Sequence, residues 1–541
     1  MVGILFRNGT IRRGPHEPDA HALLVTDGRI TAFDETAVRL AGDDVETVDL
    51  DGGFVMASFG DGHAHPLQGG LESQGPQVRT ETIAEAVAAV KRYADEHPEL
   101  PWIFGGSYDS SLAESGLFDA RWLDEAVSDR PVVLRAWDYH TVWVNSKALE
   151  LAGIDATTPD PVLGEIPHRD DGTPLGTLRE WGAVDLVMNV APERPIEQRI
   201  EAIGVASDYY LSRGVTWVQD AWVEPLDVDT YVEAASRDLL TMRFNLALYA
   251  DPRMFAQQLQ QMIAARERVA AVGNPLLTAN TVKFFADGVV ENETGALLEP
   301  YCSGLHRHGM QVWGSGTALA DAVRAVDAAG FQIHIHAIGD AAVRQALDAI
   351  EGAIAANGPR DRRPVIAHAQ LVDPADLRRF AELGVIACMQ PLWAQLDALM
   401  TVLTVPRLGQ ERADRQYQMR SILDSGAVLS HGSDWPVSSG DPREGMAVAA
   451  TRQTEDGDPQ GGWTPHELLT VDETLHSYST CVALQAFGDR AEVPWGVIAP
   501  GASADLVHLA RDPRRASGAD LPHNAVRATY LRGIREFSAH E

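Results

Sequence analysis

Two histidines one residue apart, His63 and His65, close the segment Asp61-Gly62-His63-Ala64-His65 after a short apolar run. Residues two apart in an extended strand point to the same face. Both imidazoles can therefore converge on one metal ion. Such a pair is weak on its own in a chain with 18 histidines. It gains weight from the residues that end other apolar runs. The run Gln332–His336 ends in a second pair, His334 and His336. His336 lies nearer the C-terminal end and is favoured as a ligand, with His334 packed one layer deeper. The run Pro364–Ala367 leads into His368, and Ala427–Leu429 leads through His431 to Asp434. His431 and Asp434 differ by an odd offset, and Asp434 is the better candidate at a strand end. Neutral imidazoles with a carboxylate suit zinc or a similar divalent ion.

One lysine joins this set. Only Lys91, Lys147 and Lys283 are lysine among 44 Lys+Arg residues; the other 41 are arginine. Lys283 lies inside the apolar run Thr281–Phe285. An unpaired ammonium among aromatic side chains is costly. A lysine kept there for its amine is the stronger reading. Carbon dioxide converts an amine to an anionic carbamate, which can bridge two metal ions, and a guanidinium does not replace it. Lys91 and Lys147 fall on a solvated helix and a helix start, with no chemistry assigned.

Other residues suit substrate contact or support. His140 follows Asp138-Tyr139 within the strand-like run Val132–Val144. Its readings are subdomain core or a group that reaches over the metal site to hydrogen-bond the substrate. Trp393 and Trp435 follow strand ends and are assigned to the substrate pocket. Trp102 and Phe104 are better read as packing. Asp287 and Asp340 sit just beyond strands, as helix caps or as groups orienting histidines.

These residues need a scaffold that brings strand ends together. Eight apolar runs alternate with helical stretches: Phe54–Phe59, Val215–Gln219, Phe244–Ala250, Thr281–Phe285, Gln332–His336, Pro364–Ala367, Val385–Met389 and Ala427–Leu429. Repeated β-then-α order predicts a parallel sheet, and eight units predict an α/β fold of the (β/α)8 TIM-barrel type. Chemistry in such barrels sits at the C-terminal strand ends. The first gap is too long for one unit, so an insertion at about residues 68–200 is expected after the first strand. Both ends read as short strands with Asn-Gly and Asp-Gly turns. They predict one small β-sandwich domain from residues 1–56 and 487–541, around a barrel at 57–486.

The overall balance narrows the partners. With 77 Asp+Glu against 44 Lys+Arg, the net charge is −33. That argues against nucleic acid or an anionic membrane as partner. No apolar run approaches the ~20 residues of a membrane span. The opening segment MVGILFRNGTI lacks the charge and apolar length of a signal peptide. Three dispersed cysteines form no disulfide framework and suit a reducing compartment. A cytoplasmic protein with a small-molecule substrate is expected, and a homodimer is compatible with the acidic surface.

The chain resembles the amidohydrolase superfamily, and within it the amidohydrolase-3 branch that includes N-substituted formamide deformylases. The resemblance is carried by Asp61-Gly62-His63-Ala64-His65-Pro66, Asp138-Tyr139-His140, Asn145-Ser146-Lys147-Ala148-Leu149 and Gly164-Glu165-Ile166. It continues in Val282-Lys283-Phe284-Phe285-Ala286-Asp287-Gly288, His336-Ala337-Ile338-Gly339-Asp340, His368-Ala369-Gln370, Gly432-Ser433-Asp434-Trp435-Pro436 and Pro500-Gly501-Ala502-Ser503-Ala504-Asp505-Leu506. One departure is Ala57-Ser58-Phe59-Gly60, where the family often has Pro-Gly-Phe. The resemblance implies a barrel with a β-sandwich from both termini. It implies that His63, His65 and Asp434 hold the more buried ion, that His336 and His368 hold the more exposed one, and that Lys283 bridges them as a carbamate. Two zinc ions are then expected with Lys283 carboxylated, and one without.

A bound divalent ion brings the pKa of its water toward ~7, and attack by the resulting hydroxide would hydrolyse an amide, N-formyl, N-acyl or cyclic amide C–N bond. Asp434 would carry the proton to the leaving nitrogen, and His368 is counted with it as catalytic. Two other readings stay open: a mononuclear deaminase using His63, His65, His336 and Asp434, and a barrel that binds or regulates without turnover.

Overall fold

The computed structural model describes residues 3–302 and 307–539. Eight parallel strands pair side by side in chain order: Phe59–Ala64, Val215–Val223, Arg243–Tyr249, Leu277–Phe285, Gln332–Ala337, Val365–His368, Ile386–Met389 and Val428–His431. They are almost wholly buried. Helices such as Pro225–Ser236, Phe255–Val272, Ala318–Ala328 and Asp340–Asn357 follow individual strands and cover the sheet. Burial on both faces explains why the strands read as continuous apolar runs without alternation. The expected α/β barrel is therefore present.

Closure of the barrel is made at the C-terminal ends of its strands. Beyond the ends of the last and first strands, Asp434 N–H donates to the His63 carbonyl at 2.7 Å, and His65 N–H donates to the Trp435 carbonyl at 2.7 Å. Asp61 reinforces the seam. Its Oδ1 accepts from Ser433 N–H at 2.9 Å, and its Oδ2 accepts from the Ser433 hydroxyl and from Tyr210 OH.

The two termini build one eight-stranded sheet. It contains Gly3–Ile11, Ala20–Thr26, Arg29–Phe33, Glu46–Asp49 and Phe54–Ala57, together with Leu506–Leu509, Val526–Leu531 and Ile534–Ser538. Asp27 and Gly28, both with positive φ (47° and 76°), make one of its tight hairpin turns, as an Asp-Gly pair should.

One boundary read from the sequence is corrected here. The apolar run Phe54–Phe59 is not the first barrel strand. Phe54–Ala57 pairs with Leu506–Leu509 and with Thr10–Ile11 in the terminal sheet, and the barrel strand begins at Phe59. Hydrophobicity runs unbroken because the segment serves two cores in turn. Phe54 and Met56 pack into the barrel core, and Val55 and Ala57 into the terminal core. The switch falls at Ser58, whose N–H bonds Asp505 in the terminal domain, while the next N–H bonds Gly214 in the barrel.

The long segment after the first strand carries its own four-stranded sheet, formed by Ile103–Tyr108, Val132–Ala136, Thr141–Val144 and Thr177–Arg179. The chain leaves the barrel through helix Pro66–Ser73 and returns through helix Ile196–Leu211. These helices cross at Gly70, where a Cβ would strike the Ala202 carbonyl. No helix among the described residues is long and apolar enough to cross a membrane.

An ion pair ties the approach to the last strand to a later helix. Arg420, in helix Met419–Asp424, donates from both terminal nitrogens to Glu473. Glu473 also completes a capping box with Thr470 at the start of helix Val471–His476. The Arg420 bond leads the effects that hold the Glu473 carboxyl down at about 2, against an ordinary 4.5. A depressed carboxylate stabilises fully above its ordinary pKa and loses that contribution as pH falls through the folded value. Glu473→Gln should cost about 1 kcal/mol at pH 7, a figure reduced for solvent screening at this one-third exposed group. Urea midpoints of variant and wild type should converge as pH falls from 4.5 toward 2.

Candidate metal centre

His63 is the penultimate residue of the first barrel strand, and His65 stands one residue beyond it, ahead of helix Pro66–Ser73. One ligand atom each from His63, His368 and Asp434 lie within 4.8 Å of one another, and all three residues are buried. His65 Nε2 is 2.9 Å from Asp434 Oδ1, and His63 Nε2 is 3.4 Å from it. Asp434 Oδ1 nevertheless has no aligned hydrogen-bond donor. A buried carboxylate oxygen left without a donor, faced by imidazole nitrogens, is a donor set that fits a divalent cation.

Two of these side chains, His368 and Asp434, reach this point only because the backbone is bent. Strand alternation places His368 on the same side as Ile366, whose side chain belongs to the core packed by helices. His368 has φ 73° and Ala369 φ 43°, both left-handed. That turn swings the imidazole back over the barrel mouth, with ring centroids 4.7 Å from His63 and 4.5 Å from His336. Asp434 is likewise left-handed, with φ 58°. Non-glycine residues in this region each cost about 1–3 kcal/mol and cluster at functional sites.

The other candidates gather around the same point. Lys283 Nζ is fully buried, 3.3 Å from His63 Nε2 and 4.5 Å from the Phe285 ring centroid. Burial pulls its pKa down to about 7. His336 sits beside His368, its Nε2 3.1 Å from the Gly288 carbonyl oxygen. His334 lies one layer deeper, with Nε2 2.7 Å from His63 Nδ1. Burial, then neighbouring Lys283 or histidine charge, pushes His63, His334 and His336 well below the ordinary imidazole range. His368 is held at about 3. Neutral rings with free lone pairs are what metal coordination requires. Burial raises the Asp434 pKa, but the facing His65 imidazole and other nearby positive charge more than offset it and keep the carboxyl below its usual range.

Above the centre opens a cavity of about 280 Å³. Trp137, Trp222, Phe285, Leu392, Trp393 and Tyr417 supply much of its wall. Trp393 stacks flat on His368, with centroids 5.3 Å apart and 3° between planes. His140 also lines the cavity, and its Nδ1 is 2.8 Å from Glu180 Oε2. Trp435 does not line it. Its ring stacks on Tyr209 at 4.5 Å and blocks any Cβ at Gly69. The left-handed turn at Asp434 brings the carboxylate to the mouth and leaves the next side chain on the helical side. His431 similarly faces Tyr478.

Some supporting groups escaped the sequence reading. Gln390 Oε1 is 2.7 Å from His368 Nδ1 and fixes that ring. It follows the seventh apolar run, Val385–Met389, and a polar residue at that strand end was its signal. Glu180 gave no signal, because its partner His140 is 40 residues away. Asp287 is a backbone clasp whose Oδ1 also lies 3.6 Å from His336 Nε2. Its oxygens accept from the N–H groups of Ala296, Ile338 and Gly339. Asp340 Oδ1 accepts from Leu298 N–H.

Gly432 shows how little slack the seam has. A Cβ there would lie 2.6 Å from His63 N and 3.0 Å from His63 O. Gly432→Ala should displace the His63 main chain and weaken metal binding by about tenfold or more, as read by competition with a chromogenic chelator.

A model of the Amidohydrolase family, Amidohydro_3, matches residues 46–535. Protein LONG AFTER FAR-RED 3 of Arabidopsis thaliana is 31% identical over 552 residues, which cover 98% of this chain and 91% of that one. N-substituted formamide deformylase of Arthrobacter pascens is 28% identical over 534 residues, covering 96% and 95%. The crystal structure of an uncharacterized metal-dependent hydrolase from Pyrococcus furiosus matches with a TM-score of 0.72 at 25% identity, covering 95% of this chain and 100% of that one.

Proposed function

Because the chain belongs to the Amidohydrolase family and is a hydrolase on that ground, we propose that it cleaves a carbon–nitrogen bond other than a peptide bond. The substrate class is an amide, N-formyl, N-acyl or cyclic amide, and the metal is zinc. The observation that carries this reading is the buried convergence of one ligand atom each from His63, His368 and Asp434 to within 4.8 Å of one another. His65 stands beside them, and His336 and Lys283 flank the same point.

These residues would hold the metal, which supplies Lewis acidity and a nucleophilic water at neutral pH. The remaining work falls to the chain. Asp434 takes the proton from the attacking water and gives it to the leaving nitrogen. His368 is kept in place by Gln390 and Trp393 on its two sides. His140 hydrogen-bonds the acyl group from the insertion side. The aromatic wall excludes bulk water and takes up the substituents. A cytoplasmic location is part of the same reading and rests on three unpaired cysteines.

The test is a substrate screen with zinc-loaded protein. N-formyl, N-acyl and cyclic amides are offered beside Xaa-Pro dipeptides, and amine release is followed. Release from the amides is expected. Release from dipeptides alone, or none from protein with metal bound, rejects the proposal. A mononuclear deaminase is the second reading. It draws on the fact that the tightest donor group surrounds a single point, with the Lys283 amine 3.3 Å from His63. One ion per chain and release of ammonia without an acid would favour it.

A further inference from the structure

We infer that Glu180 is the positioning residue for His140, holding the ring so that its Nε2 edge is presented to the acyl group of the substrate. This rests on the hydrolase reading above and adds a residue to it. His140 lies between insertion strands Val132–Ala136 and Thr141–Val144, is 7% exposed and lines the cavity. Glu180 grips it at two points. Its backbone N–H donates to the His140 carbonyl at 2.6 Å, and its Oε2 lies 2.8 Å from Nδ1. The second carboxylate oxygen, Oε1, accepts from the Thr294 hydroxyl at 2.5 Å. Asp138 Oδ1 accepts from His140 N–H at 2.8 Å. Three stretches of chain thus fix one ring: the insertion loop, the start of helix Glu180–Met188, and the loop after the fourth barrel strand.

Two features go beyond what joining the insertion to the barrel needs. Glu180 is 2% exposed, and a buried ion pair is a poor source of stability. It also has φ 62°, a left-handed conformation that a side-chain-bearing residue rarely adopts. Both costs are met at the wall of the cavity, where the His140 ring centroid is 5.4 Å from that of His336. A carboxylate on Nδ1 fixes the ring orientation and stabilises the imidazolium, so that Nε2–H is the donor left to meet the acyl oxygen of the substrate.

The zinc-loaded full chain is assayed on 4-nitroformanilide, which releases a coloured amine, and its downfield proton spectrum is recorded without substrate. Glu180→Gln should lower kcat about 100-fold and leave KM within about twofold, with metal content and melting temperature kept. Thr294→Val, which removes only the buttress, should cost about tenfold. The double variant Glu180→Gln/His140→Gln should be no slower than His140→Gln alone, because Glu180 acts through His140. A far-downfield Nδ1–H resonance should be present in wild type, move upfield in Glu180→Gln and vanish in His140→Gln. Multiplicative losses in the double variant, or an unmoved resonance, overturn the inference. If wild type leaves 4-nitroformanilide intact, the carbon–nitrogen reading fails for that substrate. The resonance then still decides, and its absence from wild type overturns the clamp.

Discussion

Asp434→Asn should lose nearly all turnover while keeping its metal. The carboxylate is buried at the seam of the barrel, and its Oδ1 faces His63 and His65 without a donor of its own. An asparagine fills the same space and keeps an oxygen for coordination. It cannot take a proton from water and return it to a nitrogen. Loss of a general base costs up to about 10⁴-fold, and the effect should appear in kcat. Metal content, read by elemental analysis of the purified variant, should match wild type. A variant that keeps its metal and its rate would remove Asp434 from proton transfer.

Lys283→Met should have the second large effect, with two separate signs. The metal content should fall from about two ions to one per chain, and turnover by about 1000-fold, if the amine bridges two ions as a carbamate. Metal-free protein should behave in the opposite direction. Burial pulls the Lys283 pKa to about 7 from 10.5, so the unfolded chain binds more protons between those values. Stability conferred by this residue therefore rises with pH across that window, by up to about 1.4 kcal/mol per unit. Below pH 7 the amine is a buried charge and a burden. Apo Lys283→Met should be more stable than apo wild type at pH 7, and the gap should close toward pH 10.5. Equal urea midpoints at both ends would mean that the amine is solvated in solution. Lys91 and Lys147 face solvent beside Asp95 and Glu150, and their replacement should do neither.

The sequence was most legible where regular geometry decided the outcome. His63 is readable because its place at a strand end sets its position, and the depth difference between His334 and His336 follows from alternation within one strand. The barrel is readable because burial on both faces leaves unbroken apolar runs. Legibility ended where the backbone departs from its regular path. Nothing in Ala367-His368-Ala369 announces two left-handed residues, and strand alternation alone would turn His368 outward. Trp435 reads as a pocket residue because it follows a strand end, but the turn at Asp434 sends it to pack on Tyr209. Phe54–Phe59 read as one strand because apolar residues do not say which of two cores they enter. Glu180 was invisible for a different reason: its role depends on the insertion folding back onto the barrel.

The bonds that close the barrel connect Asp434 to His63 and His65 to Trp435, so the seam runs through the peptides that carry the proposed ligands. Occupancy of the centre and breathing of the cylinder are then one equilibrium seen from two sides. Whatever binds His63, His65 and Asp434 together also latches the first strand to the last. Hydrogen exchange at the amides of His65 and Asp434 becomes a gauge of how full the centre is, with no turnover needed to read it. A chelator should act on this molecule as a local unfastener, freeing one longitudinal edge while the other seven strand pairings stay shut.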